Sequence, residues 1–378
     1  MLEDLLGRDE PLTEVQFEFE PGGGSNAPAA FPIGPPPSSE AIRPESRVTL
    51  PVPNAADLAW GFLADDRSVA VLRIDSMMRY REAFEVWRSN GFTANLTDHL
   101  SEVVQRATGQ SPPEGVDARI ALVPSATETF SRLFSAMRDA HTQAMIVDLR
   151  RNSGGNSSMN MILGYFLYPL ARLLDADGGF QIPRFSKLYF HNYRTASLQR
   201  LRSQRWGLLE IGDLDFSEEK AWRDVKKDGV DTAARERRCK EFAQDAARMP
   251  TFDVEFRTRE ASAAWSGKVI VLTSAHTYSA GFDLVAMLAK NGATVIGVPS
   301  AQAGNCFIDG LPFHLTNSGL EGDISYKQSL MFPDDPVRGE MLRPEVELTY
   351  EKLVALAFDP NASVILALET LRHGAAAH

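Results

Sequence analysis

Short, nearly continuous apolar runs alternate with amphipathic stretches along most of the chain, a pattern typical of strands that alternate with helices. The segment "TETFSRLFSAMRDAHTQ" places Phe130, Leu133, Phe134 and Met137 at helical spacing. It leads into "AMIVDLRRNSGGNSSMNMILGYFLYPLARLL", which predicts a buried strand, a turn and another helix. Residues 268–298 repeat this unit, because "KVIVLT" and "ATVIGV" predict strands on either side of a helix. The alternation predicts an α/β fold whose parallel-type sheet is covered by helices.

Other segments surround these two units. "SVAVLRIDSM" predicts a strand, and residues 79–107 predict a helical stretch with polar interruptions. Residues 200–262 form a charged, helix-prone insertion that contains Trp206, Trp222 and "AARERRCKEFAQDAARM". Its basic run "RERRCK" lies among many acidic residues, which is typical of a solvated helix face. We interpret the insertion as a solvated cap or, alternatively, as a lid.

The first fifty residues differ in composition from the rest. "LTEVQFEFEP" alternates apolar and polar positions like a strand, and no partner strand is predicted nearby. The following "GGGSNAPAAFPIGPPPSSEAIRPES" is so rich in Gly, Pro and Ser that it predicts a linker or an exposed loop. We therefore assign residues 1–50 to the tail of a preceding segment plus a linker, and residues 51–378 to the main domain.

Composition excludes several classes of protein. The chain has 378 residues, 44% of them hydrophobic, which is enough for one large core or two ordinary ones. The net charge of −11 argues against a nucleic-acid binder, because neutralising phosphates needs clustered Lys and Arg. Cys239 and Cys306 are the only cysteines, so neither a disulfide framework nor a Cys-based zinc site is predicted. The sequence predicts no metal and no cofactor.

The same patterns bear on membranes and export. No apolar run reaches the roughly 18 residues that a membrane-spanning helix requires. The opening "MLEDLLGRDE" is acidic where a signal peptide is basic and then apolar. We expect no export signal in the chain as written, and export only if a preceding segment supplies one.

The stretch "TSAHTYSAGFDLVAMLAK" contains the first candidate for chemistry. Ser279 lies between a predicted strand and a predicted helix and is followed by the small residues Ala280 and Gly281. Serine is a common helix N-cap, so the hydroxyl could simply satisfy a free N–H group of the first turn. The alternative is a nucleophile, since the helix N-terminus favours a developing negative charge. The elbow pattern G-x-S-x-G of α/β-hydrolases is missed at its first glycine, which makes that family a poor match.

The turn "DLRRNSGGNS" is the second candidate. As an ordinary strand-to-helix turn, it would use Asn152 and Gly154 at positive φ and a serine as helix cap. Alternatively, Gly154 and Gly155 expose their backbone N–H groups to a ligand oxygen. This turn and the turn of Ser279 would both follow parallel strands, at the edge of the sheet where ligands bind.

These motifs together resemble those of the S41 serine peptidases, the family of C-terminal processing proteases and the tricorn core protease. "MIVDLRRNSGG" is similar to the family's "DLRxNxGG" signature, and "TYSAGF" lies where the family has its nucleophile motif. "GATVIGVPSAQAG" and "LRPEVELTYEKLVALAFDPNASVILALETL" resemble the later motifs, in the right order, from about residue 68 to 372. The resemblance makes residues 51–378 an S41-like catalytic domain and implies a crotonase-like (ClpP/crotonase-type) α/β core. It implies Ser279 as the nucleophile and an oxyanion hole from N–H groups near Gly154 and Gly155 with that of Ala280.

The general base departs from the family pattern. The processing proteases use a lysine, and the matching position here is Ala303, so no Ser–Lys dyad can form. The tricorn-like branch uses a histidine from a D-G-H-T-like string, which residues 139–142, "DAHT", resemble. However, His141 precedes the strand whose far end carries the glycines, roughly 20 Å away at about 3.3 Å per residue. We therefore interpret His141 as structural.

Two other residues could contribute to the base. His276 lies three residues before Ser279, although short loops rarely let such a pair face each other in line. Glu340, near the "RPEVEL" strand, could orient an incoming histidine as a supporting carboxylate. We expect the usual histidine to lie on a segment that precedes this chain.

Three functions follow as hypotheses. The first is a serine endopeptidase that cleaves peptides or proteins through an acyl-enzyme on Ser279. The second is a base-deficient relative that binds peptides, or acts only when a missing segment or a partner chain supplies the histidine. The third is a crotonase-like enzyme acting on an acyl thioester. The sequence of the substrate, the biological role and the oligomeric state, including a homo-oligomer, stay open.

Overall fold

The computed structural model of the protein describes residues 14–17, 29–32, 44–65, 67–91, 96–175, 179–193, 198–204, 209–228, 232–259 and 264–375. They belong to two compact units, residues 1–46 and 47–378. The strands are, in chain order, β1 (Glu14–Phe17), β2 (Ala29–Pro32), β3 (Leu58–Phe62), β4 (Val69–Ile74), β5 (Ala144–Asp148), β6 (Phe180–Pro183), β7 (Lys268–Thr273), β8 (Thr294–Gly297), β9 (Asn305–His314), β10 (Glu321–Leu330) and β11 (Val346–Glu347).

The helices are, in chain order, α1 (Arg81–Ser89), α2 (Leu96–Thr108), α3 (Val116–Leu122), α4 (Ala126–Asp139), α5 (Ser158–Leu167), α6 (Leu170–Asp175), α7 (Lys187–Asn192), α8 (Leu198–Gln204), α9 (Ser217–Asp228), α10 (Thr232–Ala246), α11 (Pro250–Thr258), α12 (Ala280–Lys290), α13 (Pro336–Glu340), α14 (Tyr350–Ala355) and α15 (Ala362–Ala375). Within the ranges given above, none of them combines the length and the apolar character that a membrane span needs.

The first unit contains a short antiparallel hairpin. β1 pairs with β2, with Glu14 opposite Pro32. The expectation that the first strand has no partner nearby is therefore wrong, because the partner lies within the predicted linker. Backbone pairing needs an extended chain rather than β-branched side chains, and Pro32 is tolerated because β2 is an edge strand of a two-stranded sheet. The rest of the predicted linker, apart from residues 44–46, lies outside the described residues.

The second unit is built on the predicted parallel-type sheet. The strand order is β11-β8-β7-β5-β4-β3. Neighbouring strands are parallel except β3, which pairs antiparallel with β4 at one edge. The α/β prediction is confirmed at this level. Because β5 and β7 are adjacent and parallel, the turns that follow them lie at the same edge of the sheet.

Helices cover both faces of the main sheet. In β5, Met145 and Val147 face one side and join a large cluster with residues of α4, α5 and α12. Ala144 and Ile146 of the same strand face the other side and join a second cluster with Val364 of α15. All residues of β5 are buried, as expected for a parallel strand between two helical layers.

A second, antiparallel sheet was not predicted from the sequence. Its strand order is β6-β10-β9, with β9 and β10 forming a long hairpin. β9 contains Gly310 and Pro312, and β10 carries several charged and polar residues, so neither strand shows the clean alternation by which strands are detected. The pairing depends on backbone hydrogen bonds that apolar periodicity does not report.

The described parts of the segment 200–262 are mostly helical, but the segment is not simply a solvated cap. Its last part belongs to the main core, since Phe242, Met249 and Phe252 are buried in the cluster that covers the sheet. These apolar positions are few among many charged residues, so the overall composition of the segment does not reveal them. Trp206, which the sequence analysis singled out, lies outside the described residues.

A buried ion pair connects the main sheet to the C-terminal segment. Arg150 donates two hydrogen bonds of 2.8 Å to the two carboxylate oxygens of Asp148. It also donates to the carbonyl of Pro360 and to Oδ1 of Asn361, each at 3.0 Å. Burial alone would raise the pKa of the Asp148 carboxyl, but Arg150 outweighs burial and holds that pKa below its usual value.

We predict that Arg150→Met lowers the free energy of unfolding by about 2 to 3 kcal/mol, because the buried Asp148 carboxylate loses its two close hydrogen bonds and keeps only the longer ion pair, 3.9 Å, with Arg73 Nε. Arg88→Met is the matched control. Arg88 donates through Nε and Nη2 to Asp117 in the same two-bond geometry, but this pair is exposed. Urea unfolding should show a large loss for the first variant and little change for the second. Equal losses would contradict a structural role for the Asp148 pair.

Glu85 lies in α1, and its carboxyl group contacts the start of α11. Thr251 donates a hydrogen bond of 3.0 Å to its Oε1, and Oε2 is buried without a partner among the described residues. Burial, followed by the charge of Glu82, raises the pKa of Glu85 to about 7. The folded protein therefore binds a proton here more tightly than the unfolded chain does.

This shift predicts a pH-dependent loss of stability. Between pH 4.5, the ordinary pKa of a glutamate, and about 7, the unfolded chain loses this proton while the folded protein keeps it. Stability therefore falls as the pH rises through this window. We predict that Glu85→Gln, which stays neutral, gains stability relative to wild type from pH 5 to pH 8 in urea unfolding. A difference between the two proteins that does not change with pH would contradict this.

Candidate active site

Ser279 occupies an unusual backbone conformation at the start of α12. Its φ is +52° and its ψ is −130°, and its side chain makes no hydrogen bond to the N–H groups of the helix. A residue with a side chain adopts positive φ at a cost of about 1 to 3 kcal/mol, and such conformations concentrate at functional sites. The interpretation of Ser279 as a simple helix cap is therefore wrong. The residue is half-buried, and its hydroxyl is not used by the helix.

Hydrogen bonds hold the two predicted turns against each other. Thr277 Oγ1 donates to the carbonyl of Leu149 at 2.9 Å, and the N–H of Tyr278 donates to the carbonyl of Asn152 at 2.9 Å. These bonds join the chain just before Ser279 to the chain just before the double glycine. The prediction that the sheet brings the two motifs together is confirmed by this pairing.

Asn152 is the buried centre of this arrangement. Its Nδ2 donates to the carbonyl of Ile74 at 2.9 Å, and its Oδ1 accepts from the N–H of Gly154 at 2.8 Å. A Cβ on Gly281 would lie only 2.6 Å from the same Oδ1. The asparagine therefore connects the end of β4, the glycine turn and the first turn of α12.

The two glycines differ in what they offer to a ligand. A Cβ on Gly154 would lie 2.6 Å from Cβ of Ser279, and the φ of Gly154 is +106°, so this position needs glycine for two reasons. Its N–H is already bound by Asn152. Within the described ranges, the N–H groups of Gly155 and Ala280 have no hydrogen-bond acceptor. The N–H groups that follow Gly154 and Ser279 in the sequence are therefore unbound, whereas that of Gly154 itself is not.

Gln302 is a residue of the site that the sequence analysis missed. Its side chain is buried, and its Oε1 accepts the N–H of Ser279 at 2.5 Å. Gln302 directly precedes Ala303, the position where the related proteases have lysine. No pattern in the sequence distinguishes a glutamine that binds a backbone N–H from one that faces solvent.

None of the histidines that the sequence analysis weighed as a base is bound to Ser279. His276 is exposed, and within the described part of the chain no hydrogen bond joins its ring to Ser279. His141 follows α4 and precedes β5, so it lies at the end of the sheet opposite to Ser279. Glu340 is exposed at the end of α13. Its role as a supporting carboxylate stays a prediction.

Asp283 is the nearest acid along the helix, one turn after Ser279. Ser157 Oγ donates to its Oδ2 at 3.5 Å.

Cys306 is a poor candidate for a second nucleophile. Burial, and after it the charge of Asp283, raises the pKa of the Cys306 thiol, so the thiol is a weak nucleophile at neutral pH. In the described residues no group of three or more His, Cys, Asp or Glu side chains could hold a metal ion.

The fold and the site together contain what acyl-transfer enzymes use, namely a free hydroxyl at a strained turn beside unbound backbone N–H groups. The model of "Peptidase family S41" matches residues 117–307, just over half of the chain. The chain therefore belongs to this peptidase family. Comparison with curated protein sequences gives no match.

Several solved structures are similar at low identity. They include a Parabacteroides merdae protein described as a candidate peptidase (14% identity, 86% of this chain and 66% of that one, TM-score 0.39). Others are a photosystem II D1 C-terminal processing protease (11%, 79% and 49%, TM-score 0.34) and mature CPAF complexed with lactacystin (13%, 97% and 69%, TM-score 0.39). This chain spans between about half and somewhat over two thirds of these three proteins.

Packing at the double glycine predicts the effect of adding one methyl group. We expect Gly154→Ala to be less stable than Gly91→Ala by about 1 to 3 kcal/mol, the usual cost of overpacking. Gly91 is the matched control, since it also has positive φ but no atom of the described residues lies within 4 Å of the added Cβ. Urea unfolding of both variants measures the difference. Equal losses would mean that Gly154 is required only for its backbone angles.

Proposed function

We propose that this protein is a serine-type peptidase with a crotonase-like core, in which Ser279 forms the acyl-enzyme. The observation that carries the proposal is the conformation of Ser279, which keeps the hydroxyl off the helix N–H groups at the cost of a strained φ. A serine that served only as a cap would adopt extended backbone angles and use its oxygen on the helix. Family membership supports a peptide or protein as the substrate.

The proposed first step is attack of Ser279 Oγ on the carbonyl carbon of a peptide bond. The hydroxyl proton goes to a general base, and the carbonyl oxygen becomes the oxyanion of a tetrahedral intermediate. We assign its stabilisation to the N–H groups of Gly155 and Ala280, which have no acceptor among the described residues. The amine then leaves with the proton, and water hydrolyses the ester on Ser279.

The oxyanion assignment revises the expectation for Gly154. Its N–H binds Asn152, and recruiting it would break a buried hydrogen bond. The amino terminus of α12 favours negative charge in the same place, because the first N–H groups of a helix carry partial positive charge. Gly154 contributes instead by allowing the close approach of Ser279.

The general base is the incomplete part of this mechanism. Ala303 cannot accept a proton, and His141 lies at the opposite end of the sheet. We propose that a histidine from another segment or from a partner chain completes the site. The second candidate function, a base-deficient protein that binds peptides, is favoured by the absence of a hydrogen bond from any described histidine to Ser279.

We predict that a fluorophosphonate probe labels Ser279 slowly in the purified chain, and that Ser279→Ala removes the labelling without unfolding the protein. His276→Ala should change the labelling rate by less than about tenfold, because the exposed ring of His276 makes no hydrogen bond to Ser279 among the described residues. Intact-mass and peptide mass spectrometry measure the labelled site and its rate, and the melting temperature checks the fold.

Two results would contradict the function as we propose it. Absence of labelling in wild type, together with binding of unmodified peptides, would support the peptide-binding alternative. Rapid labelling and peptide cleavage that are both lost in folded His276→Ala would make Ser279 and His276 a self-contained dyad. Addition of free imidazole separates a missing base from a missing nucleophile, since it can accelerate labelling only where Ser279 is competent.

A further inference from the structure

The strained backbone of Ser279 requires a specific restraint. An N-cap serine normally has extended backbone angles and accepts a hydrogen bond from the second or third N–H of its helix. Ser279 has φ of +52° and makes no such bond. Without a restraint, it could relax to the cap geometry, and its oxygen would then be occupied by the helix.

Gln302 makes the hydrogen bond that supplies this restraint. Its Oε1 accepts the N–H of Ser279 at 2.5 Å, so the direction of this N–H, and with it φ of Ser279, is tied to a side chain from another loop. The acceptor must be Oε1 because a backbone N–H cannot bind the amide NH2 group. The side chain is buried, with 5% of its surface exposed.

The loop of Gln302 is itself attached to the nucleophile turn. The N–H of Gln302 donates to Ser300 Oγ at 3.0 Å, and Ser300 Oγ donates to the carbonyl of Thr277 at 2.5 Å. Gln302 is therefore connected to the turn on both sides of Tyr278. This small network of hydrogen bonds fixes the position of Gln302 Oε1 relative to Ser279.

We propose that Gln302 is a positioning residue that keeps Ser279 in its nucleophile conformation and prevents it from becoming a helix cap. This inference deepens the proposed function and rests on it for its catalytic consequence. Gln302 does not touch the reacting atoms in this role. It acts through the backbone of Ser279, and the reactivity of Oγ depends on that backbone.

Gln302→Met tests the proposal, because methionine has a similar length but no amide oxygen. We expect the rate of fluorophosphonate labelling to fall by about 10²-fold, the scale for a displaced catalytic group. The melting temperature should change little, since the released Ser279 hydroxyl then caps α12. Gln328→Met, at a half-buried glutamine of β10, is the control and should label like wild type.

A second readout does not depend on activity. In protein labelled with ¹⁵N-serine, the Ser279 amide is assigned by its loss in Ser279→Ala. We expect a downfield amide proton in wild type and in Gln302→Glu, which retains an oxygen acceptor. In Gln302→Met this proton should move upfield, and its three-bond coupling should change from the value for positive φ to that for an extended residue.

The outcomes distinguish a failure of the positioning role of Gln302 from a failure of the proposed peptidase function. If wild type is not labelled but the Ser279 amide moves in Gln302→Met as described, the positioning role stands and the peptidase function fails. If wild type is labelled and Gln302→Met labels at the same rate, the function stands and the positioning role is overturned. An unchanged Ser279 amide in Gln302→Met also overturns it, whatever the labelling.

Discussion

The buried side chain of Asn152 is the constraint on which the candidate site depends. One amide binds the carbonyl of Ile74 with its nitrogen and the N–H of Gly154 with its oxygen. Its backbone carbonyl accepts the N–H of Tyr278, so the turn after β5 and the turn after β7 share one anchor. Both groups of the amide are hydrogen-bonded and Asn152 is fully buried, so a lost hydrogen bond would cost the full desolvation of its partner. The strands bring the two turns to one edge of the sheet, and Asn152 fixes how they meet.

The chemistry that we propose for Ser279 depends on this close approach. With the glycine turn held by Asn152, only glycine fits at position 154, and Ser279 is left at positive φ between the glycine turn and Gln302. The strained conformation of Ser279 is restrained by the hydrogen bond from its N–H to Gln302 and by the bonds that tie Thr277 and Tyr278 to the glycine turn. This explains how a hydroxyl at a helix start, ordinarily a cap, stays available for chemistry. The electrostatics are equally local, because the helix start and the N–H groups of Gly155 and Ala280 favour an anion there.

Sequence reasoning recovered the parts of the structure that apolar periodicity encodes. The runs "AMIVD" and "KVIVLT" predicted buried parallel strands, and the motifs after them predicted the site. The β9–β10 hairpin and the partner of β1 were missed because backbone pairing leaves little trace in residues such as Gly310, Pro312 and Pro32. Phe242 and Phe252 were hidden in a charged segment. Gln302 and the bound state of the Gly154 N–H could not be predicted, because both depend on side-chain directions set by distant parts of the chain.

The central claim is that Ser279 attacks a carbonyl whose oxygen is then held by the N–H groups of Gly155 and Ala280. A crystal structure of the chain after reaction with a fluorophosphonate tests it most directly, because the phosphoryl oxygen of the adduct stands in for the oxyanion. The account predicts a covalent bond from phosphorus to Ser279 Oγ and a phosphoryl oxygen within hydrogen-bond distance of those two nitrogens, with Asn152 still bound to Gly154. An adduct on another residue, or a phosphoryl oxygen bound to Gly154 with Asn152 displaced, would contradict it.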